Sequence, residues 1–516
     1  MESILKASSQ STGVATRISD FLLRLFKGNP VACTVTGFVA LVLYDQFKHR
    51  RYTRGMAGPR WTVPFIGGII HMVQDPYEFW DQQKSWSQSR HGISWNSLVG
   101  KMILFLTDTD QIRHVLMKND EDHFTTQLHP SAKDILGDTN IAFMTGPMHK
   151  RLRSSFLDLF TRKALTVYVQ AQDRIVRTWL ATLKDSSSPQ EMRDVMRMAN
   201  LETSQTVFAG PYLGSKEERE AFSQAYLDMT EGFLAIPVCL PGTGVWRARK
   251  GRKHVVKVLT KAAEEAMNNY KNDVAPVCLM DFWVRSVDTA NKQAEANGEP
   301  PLEFSTYERM AEVMMDFLFA SQDATSAALT WVLALMADHP DVYQKVREES
   351  LAVRGSDLSK PIDGEVIEQL VYTRNVIKEL LRYRPVAPML IEEAVSEQEI
   401  PGKCPFKAPK GAWVTCSLVA ACENGFTEGS KFDPDRWGKE RNEGSKHAKN
   451  WLPFGAGPHA CPGREYAQNQ LTTFLALMST TYNLKRTHTS NSHKIKYLPT
   501  LYPHDCLMQF EPLVAH

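Results

Sequence analysis

Little in this 516-residue chain divides it or commits it to one partner. Its eight cysteines (Cys33, Cys239, Cys278, Cys404, Cys416, Cys422, Cys461 and Cys506) form no C-x-x-C pair. That argues against a structural zinc site, and the scattered spacing offers no disulfide framework. Most are expected to be small buried residues in a reducing compartment. Charge of one sign is also lacking: the net charge of +2 names no polyanionic partner, and no nucleic acid is expected. No repeat, low-complexity tract or Gly/Ser linker interrupts the chain after residue 60. The pattern is mainly helical, with strand-like runs such as "AWVTCSLVA" (Ala412 to Ala420) behind the turn "APKG". A chain of this length then reads as one large, mainly α domain with small β-sheets.

A long apolar run is missing too. After Pro30, "VACTVTGFVALVLY" is only about 14 residues long, short of the ~20 a spanning helix needs. Before it, Ile18, Phe21, Leu22, Leu25 and Phe26 fall on one helical face, with Asp20, Arg24 and Lys27 opposite. That periodicity suits a helix lying in a membrane interface. The run starts too late for a signal peptide, and no small-residue cleavage site follows. Residues 1–55 are therefore expected to be a membrane anchor, 56–68 ("GPRWTVPFIGG" within it) a Pro/Gly hinge, and 69–516 the working domain. The basic cluster Lys48, Arg50, Arg51 and Arg54 would keep that domain cytosolic.

What is present is concentrated in two places. The first is "FLFASQDATSAALTW", Phe317 to Trp331, in a helical pattern running from about Tyr307 to His339. Ser321, Gln322, Asp323, Thr325 and Ser326 crowd a segment otherwise built of apolar residues. Left unpaired in a core, such groups would cost roughly 1–3 kcal/mol each. At 100° per residue, Phe317, Ser321, Ala324, Thr325 and Ala328 share a face, and Asp323 points elsewhere.

The second is "PFGAGPHACPGREYAQNQLTTFLALM". Cys461 lies between a Gly-rich loop (Gly455, Gly457) and an amphipathic helix, with Pro462 suited to its first position. A cysteine there gains from the helix dipole and from free backbone N–H groups, which favour thiolate. A metal ligand and a nucleophile with His459 as base both fit. Elsewhere, "ELLR" puts Glu379 and Arg382 on one helical face, and "KFDPDRW" supplies Arg436. Alone, each of these is weak.

Running along the chain as "ELLR", then "FDPDRW", then the Cys461 loop, the motifs resemble the cytochrome P-450 superfamily, the haem-thiolate monooxygenases. "FGAGPHACPG" is similar to the family's haem loop, "ELLR" to its Glu–Arg pair and "FDPDRW" to its arginine segment. The resemblance implies the cytochrome P-450 fold, with haem b buried between the long central helix and the Cys-loop helix. Cys461 would be the axial thiolate, whose electron push favours O–O cleavage. Phe454 would pack near the sulfur, with Gly455 and Gly463 in the loop backbone and Ala324 against the cofactor. Glu379, Arg382 and Arg436 would form a buried ion-pair network. Arg153 would serve the haem propionates together with His149 and His459, which stand where the family usually has Trp and Arg. Asp323 would relay protons from solvent through water, and either Thr325, Ser321 or an ordered water takes the place of the family's alcohol, or that task is altered. Here the chain departs from the family, because Ala324 separates the acid from the threonine.

"FLFASQDATSAALTWVLALMADHPDV", "GFTEGSKFDPDRW" and "LPTLYPHDC" are similar to the sterol C-22 desaturases of fungi, plants and algae. That implies O2, electrons from NADPH through a membrane-bound reductase, and loss of hydrogen from C-22 and then C-23 of a sterol. It also implies a monomer at the endoplasmic reticulum membrane. Phe124, Phe143, Phe317, Ala320 and Met389 are expected to touch the sterol, and "FLAIPVCLPGTGVW" (Phe233 to Trp246) to form an entrance from the bilayer. The basic run behind it (Arg247, Arg249, Lys250, Arg252, Lys253) suits lipid headgroups or solvent. Competing readings are a hydroxylase or demethylase of another lipid, a haem-thiolate isomerase or dehydratase, and a non-enzymatic haem sensor.

Overall fold

The computed structural model describes residues 30–128, 131–183, 188–235, 238–402, 405–497 and 500–513. The Ile18–Phe26 face and Cys404 lie outside them. Two compact units divide at residues 104 and 105.

In the first unit a helix, Pro30–Phe47, precedes two shorter helices and the strand Ile93–Leu98. The long helix presents apolar side chains on most of its circumference: Val35, Phe38, Leu41 and Tyr44 are all exposed. Among the described residues no helix is long and apolar enough to cross a membrane. The Pro/Gly stretch is pinned rather than loose. Asp45 accepts from the Phe65 N–H (3.0 Å), Gln46 donates to the Thr62 carbonyl (3.0 Å), and Gly68 N–H donates to the Ser97 carbonyl (2.7 Å). Gly67 (φ +64) sits so close to Ser97 that a Cβ would collide with its carbonyl.

The second unit is helical around one long element, Tyr307–Asp338, capped by the Thr306 side chain on the Arg309 N–H. Against this central helix pack Met192–Phe208, Gly244–Lys271, Val371–Tyr383 and Arg464–Ser479. The sheets are small. Phe124–Gln127 pairs antiparallel with Met389–Ala394 (Phe124 opposite Ala394), which pairs antiparallel with Trp413–Ser417 (Met389 opposite Ser417). Leu507–Pro512 pairs antiparallel with Tyr482–Thr487 and with Gln190–Glu191.

Two separate apolar cores share four helices. The central helix contributes Met310 to Leu318 to one core and Ala327 to Met336 to the other. Arg162–Thr182, Met192–Phe208 and Arg464–Ser479 divide in the same way. Where each helix passes between cores, it carries polar residues: Gln172, Asn200, Ser321 with Gln322, and Gln470. The polar knot of the central helix therefore lies in a polar layer between two cores.

Most of the knot's hydrogen-bonding capacity is used there. Gln322 Nε2 donates to the Arg197 carbonyl (2.8 Å), and Asp323 pairs with Arg197 (3.2 Å). Ser321 Oγ meets Ser204 Oγ (3.1 Å), and Ser326 Oγ donates to the Gln322 carbonyl (2.5 Å). Asn200 Nδ2 donates to the Gln322 carbonyl (3.0 Å) while its Oδ1 accepts from Gln470 Nε2 (2.8 Å). The desolvation cost is thus met by pairing, and the central helix is fixed in register against Met192–Phe208.

The ion-pair network is complete and buried. Arg382 donates to both oxygens of Glu379 (2.8 Å each), and Arg436 Nε donates to Glu379 Oε1 (3.0 Å). All three side chains are 0% exposed. Arg382 also donates to the Cys422, Gly429 and Lys431 carbonyls, so a helix end organises a loop roughly 50 residues later. A second carboxylate, Glu443, balances the charge by accepting from Arg436 Nη1 (3.0 Å) and from Arg441. Burial opposes its ionisation, but hydrogen bonds from Arg441, the Thr427 N–H and Arg436 pull its pKa down to about 2.

A carboxylate with a lowered pKa contributes stability above its unfolded value and loses it as pH falls through the folded one. Glu443→Gln should therefore cost about 2–3 kcal/mol at neutral pH. That difference should shrink as pH falls from about 4.5 to about 2, read from urea denaturation of both proteins across that range.

Candidate active site

The Cys461 loop is shaped by two glycines with left-handed backbones, Gly455 (φ +69) and Gly457 (φ +74). At Gly457 a Cβ would run into the Leu116 carbonyl, so only glycine lets the loop lie this close to its neighbour. Cys461 N–H donates to the Phe454 carbonyl (2.9 Å), closing the loop. The following helix begins at Arg464, with Gly463 as its cap, so Pro462 precedes the cap rather than opening the helix. Cys278, Cys416, Cys422 and Cys506 are buried, whereas the Cys461 side chain is accessible. Burial of the loop pushes its thiol pKa up, and the Gly463 N–H with the charges of Arg153 and Arg464 works against that rise.

Beside the cysteine stand one arginine and two histidines. Arg153 Nη2 donates to the Ala460 carbonyl (2.7 Å), which places the guanidinium one residue from the thiol. His149 and His459 stack with ring centroids 4.2 Å apart. Both have a buried Nε2 with no hydrogen-bond partner. Burial and the neighbouring charges of His149 and Arg153 hold the His459 pKa down to about 4, and burial with Arg153 lowers that of His149. Two unpartnered imidazole nitrogens next to an arginine call for an anion. The two carboxylates of a haem suit this set, and an accessible cysteine thiolate is the donor its iron needs. The residues present fit the group.

Around the polar segment of the central helix Ala320 is exposed, and Phe319, Ser321, Asp323 and Ala324 are half-buried. Phe317 turns instead to Phe156 (4.8 Å) and Phe160 (6.0 Å), and Ser321 turns to Ser204. Phe317 and Ser321, which helical periodicity puts on one face, thus meet different neighbours. Thr325 is buried. Unlike Ser321, Ser326 and Thr330, it has no hydrogen bond to a protein group among the described residues. Asp323 is occupied by Arg197, and its carbonyl accepts from Thr500 and Tyr502 (3.3 Å each).

Of the other expected contacts, Met389 is half-buried at the start of its strand, and Phe143 lies under the Lys133 ammonium (5.5 Å). Phe124 is fully enclosed in the sheet. In the basic run, Arg252 pairs with Glu312 (2.6 Å) and Arg249 with Asp134 (2.9 Å). Sequence reasoning missed Glu443, Arg197, Asn200 and Ser204. The first sits seven residues after Arg436 with no helical pattern to link them, and the others lie more than 110 residues from their partners.

The family profile for "Cytochrome P450" matches residues 56–505. The chain belongs to the cytochrome P450 family. It is 34% identical over 475 residues to cytochrome P450 710A4 of Arabidopsis thaliana, covering 91% of this chain and 94% of that one. It is 31% identical to the C-22 sterol desaturase ERG5A of Gibberella zeae (95% and 94% covered). With the C-22 sterol desaturase ERG5 of Saccharomyces cerevisiae it shares 29% identity (98% and 94% covered). Among solved structures, a retinoic acid-bound cyanobacterial CYP120A1 superposes with a TM-score of 0.73 at 20% identity over 87% of this chain and 98% of that one. Membership implies a haem iron with a cysteine thiolate, O2, electrons from a reductase and a lipophilic substrate.

If Cys461 is the iron ligand, Cys461→Ser should abolish the ferrous–carbonyl band of thiolate-ligated haem, and an unchanged band would exclude the assignment. His149→Ala and His459→Ala should each keep that band but release haem faster to an acceptor such as apomyoglobin. The effect should be about 10-fold, in line with the loss of one charge-assisted hydrogen bond.

Proposed function

We propose that this P450 is a sterol C-22 desaturase. The observation that carries the reading is similarity over more than nine-tenths of the chain to proteins named C-22 sterol desaturases from several fungi. The reaction removes one hydrogen from C-22 and one from C-23, and reduces O2 to two waters with two electrons and a proton from NADPH and one further proton from solvent. A haem would be held by Cys461, with Arg153, His149 and His459 as donors to its carboxylates, and would supply oxygen activation.

The chain's own residues do the rest. Ala320 and Ala324 keep the central helix smooth where a rigid, flat ring system and its side chain must lie close. Pinning by Arg197, Asn200 and Ser204 holds that wall still, which favours one reactive carbon over its neighbours. Thr325 Oγ1 is the hydroxyl not committed to the fold, and it can hand a proton toward the site. Asp323, one turn face away, holds its charge against Arg197.

The same reading places the protein on the endoplasmic reticulum membrane as a monomer. Residues 1–55 are the anchor, 56–68 the connection and 69–516 the cytosolic catalytic part. The exposed apolar helix Pro30–Phe47, with Val238 and Leu240 at the expected entrance, supports contact with a bilayer. An NADPH-dependent reductase supplies the electrons.

Product mass decides between readings. With a matched reductase, NADPH and candidate sterols, the product should be two hydrogens lighter with a new C-22 double bond. A product one oxygen heavier would make the enzyme a hydroxylase on the same site. Thr325→Ala should lower product formed per NADPH by about 10-fold while leaving the ferrous–carbonyl band intact. Full coupling in that variant would remove Thr325 from proton delivery.

A further inference from the structure

Asp316 is a buried acid of the central helix that neither the thiolate side nor the polar segment uses. It is 7% exposed and lies one helical turn before the exposed Ala320. Both of its oxygens are taken by one short turn of chain. Oδ1 accepts from Asn140 Nδ2 (2.5 Å), and Oδ2 accepts from the Ile141 N–H (3.2 Å). Asn140 is buried too, and its Oδ1 caps the turn Ile141–Phe143 by accepting from the Ala142 N–H (2.9 Å). Every donor here is fixed. A backbone N–H only donates, so Ala142 holds the Asn140 oxygen and turns its NH2 toward Asp316. Burial pushes the Asp316 pKa up, against the Ile141 N–H, the Asn140 amide and Arg252. Either form of a carboxyl accepts at both oxygens, whereas an amide in its place accepts at only one.

The turn is anchored on both sides. Upstream, Thr139 Oγ1 donates to Glu312 (3.4 Å), one helical turn before Asp316, and Glu312 pairs with Arg252 of the helix Gly244–Lys271. Arg252 Nε also donates to the Leu136 carbonyl (3.4 Å). Downstream, the Met144 carbonyl accepts from the His459 ring. Glu312, Asp316, Ala320 and Ala324 follow one another at intervals of four, about 6 Å apart along the helix axis. The chain from Leu136 to Met144 is thus tied to the acidic half of this row and then to the cysteine loop. Ile141, Ala142 and Phe143 lie between those anchors and are half-buried.

We propose that Asp316 is a positioning residue for the substrate: through Asn140 and Ile141 it sets where the Ile141–Phe143 turn stands beside Ala320, and so which carbon is presented for oxidation. The acid touches no reacting atom. It works as a socket with two acceptors, and a turn released from it would let a flat substrate slide along the helix. The inference rests on the lipophilic substrate of the family, not on the desaturase reading.

Three variants of the membrane-bound, haem-loaded protein test it, with a matched reductase and candidate sterols as the probe. Asp316→Asn keeps the size of the side chain and sets an NH2 against one of two donors that cannot turn. Asn140→Ser still caps the turn but loses the bond to Asp316. The exchange of Asn140→Asp together with Asp316→Asn pairs every donor with an acceptor again, the two roles reversed. Asp316→Asn and Asn140→Ser should keep the ferrous–carbonyl band and bind sterol about 10-fold more weakly in a spectral titration. Both should also spread oxidation to carbons that the wild type leaves alone. The exchange should return affinity and product distribution to those of the wild type. Wild-type affinity and distribution in Asn140→Ser would overturn the proposal, and so would an exchange that behaves no better than Asp316→Asn. Should Asp316→Asn lose the band, Asn140→Ser and the exchange carry the same readouts. Each distribution is compared with the wild type's own, so hydroxylated sterols from the wild type would overturn the desaturase reading and leave this comparison standing.

Discussion

The Glu379 carboxylate is the point on which the architecture of the thiolate side depends. It is fully buried and accepts from two arginines, the Trp437 indole and the Asp433 N–H. A carboxylate so placed would be costly alone, and either arginine alone would be costlier still. Only the assembled set, with Glu443 as the second anion, brings the buried charge near neutrality. Its members come from two stretches of chain, Glu379 with Arg382 and the segment from Asp433 to Glu443, so satisfying the charges folds the segment from Gly429 to Glu443 into one shape. Network formation and loop formation are therefore the same event.

A second constraint operates on the oxygen side. A helix that borders a reactive cofactor needs short side chains there, and short side chains give it little apolar area to hold it in place. The polar layer supplies what packing cannot. Asn200 joins the central helix to the helix that follows Cys461, since its amide donates to one and accepts from the other. The two elements flanking the site are thus referenced to each other through a single side chain. Most of the polar residues that look misplaced in the sequence serve this registration, and Thr325 is the hydroxyl left over.

Legibility in the sequence followed distance along the chain. The Cys461 loop was readable because its chemistry is local: glycines needed for positive φ and a cysteine before a helix sit within ten residues. Glu379 and Arg382 were readable as an i, i+3 pair, but their burial followed only from the family resemblance, since the same spacing occurs on solvated surfaces. Helical periodicity groups the residues of the central helix by direction but does not name their neighbours. Phe317 and Ser321 meet two different ones, Phe156 with Phe160 and Ser204.

The sequence by itself determined the family, the glycine-flanked cysteine loop and the existence of an anomalous polar segment, because each is written in residues close together or in a fixed order. Tertiary structure alone decided what that segment does. Whether a buried serine or glutamine is a cost, a clamp or a proton carrier depends on the group a few ångströms away. Here those groups, Arg197, Asn200, Ser204 and Gln470, lie more than 100 residues from the segment they hold, a separation that no local pattern encodes.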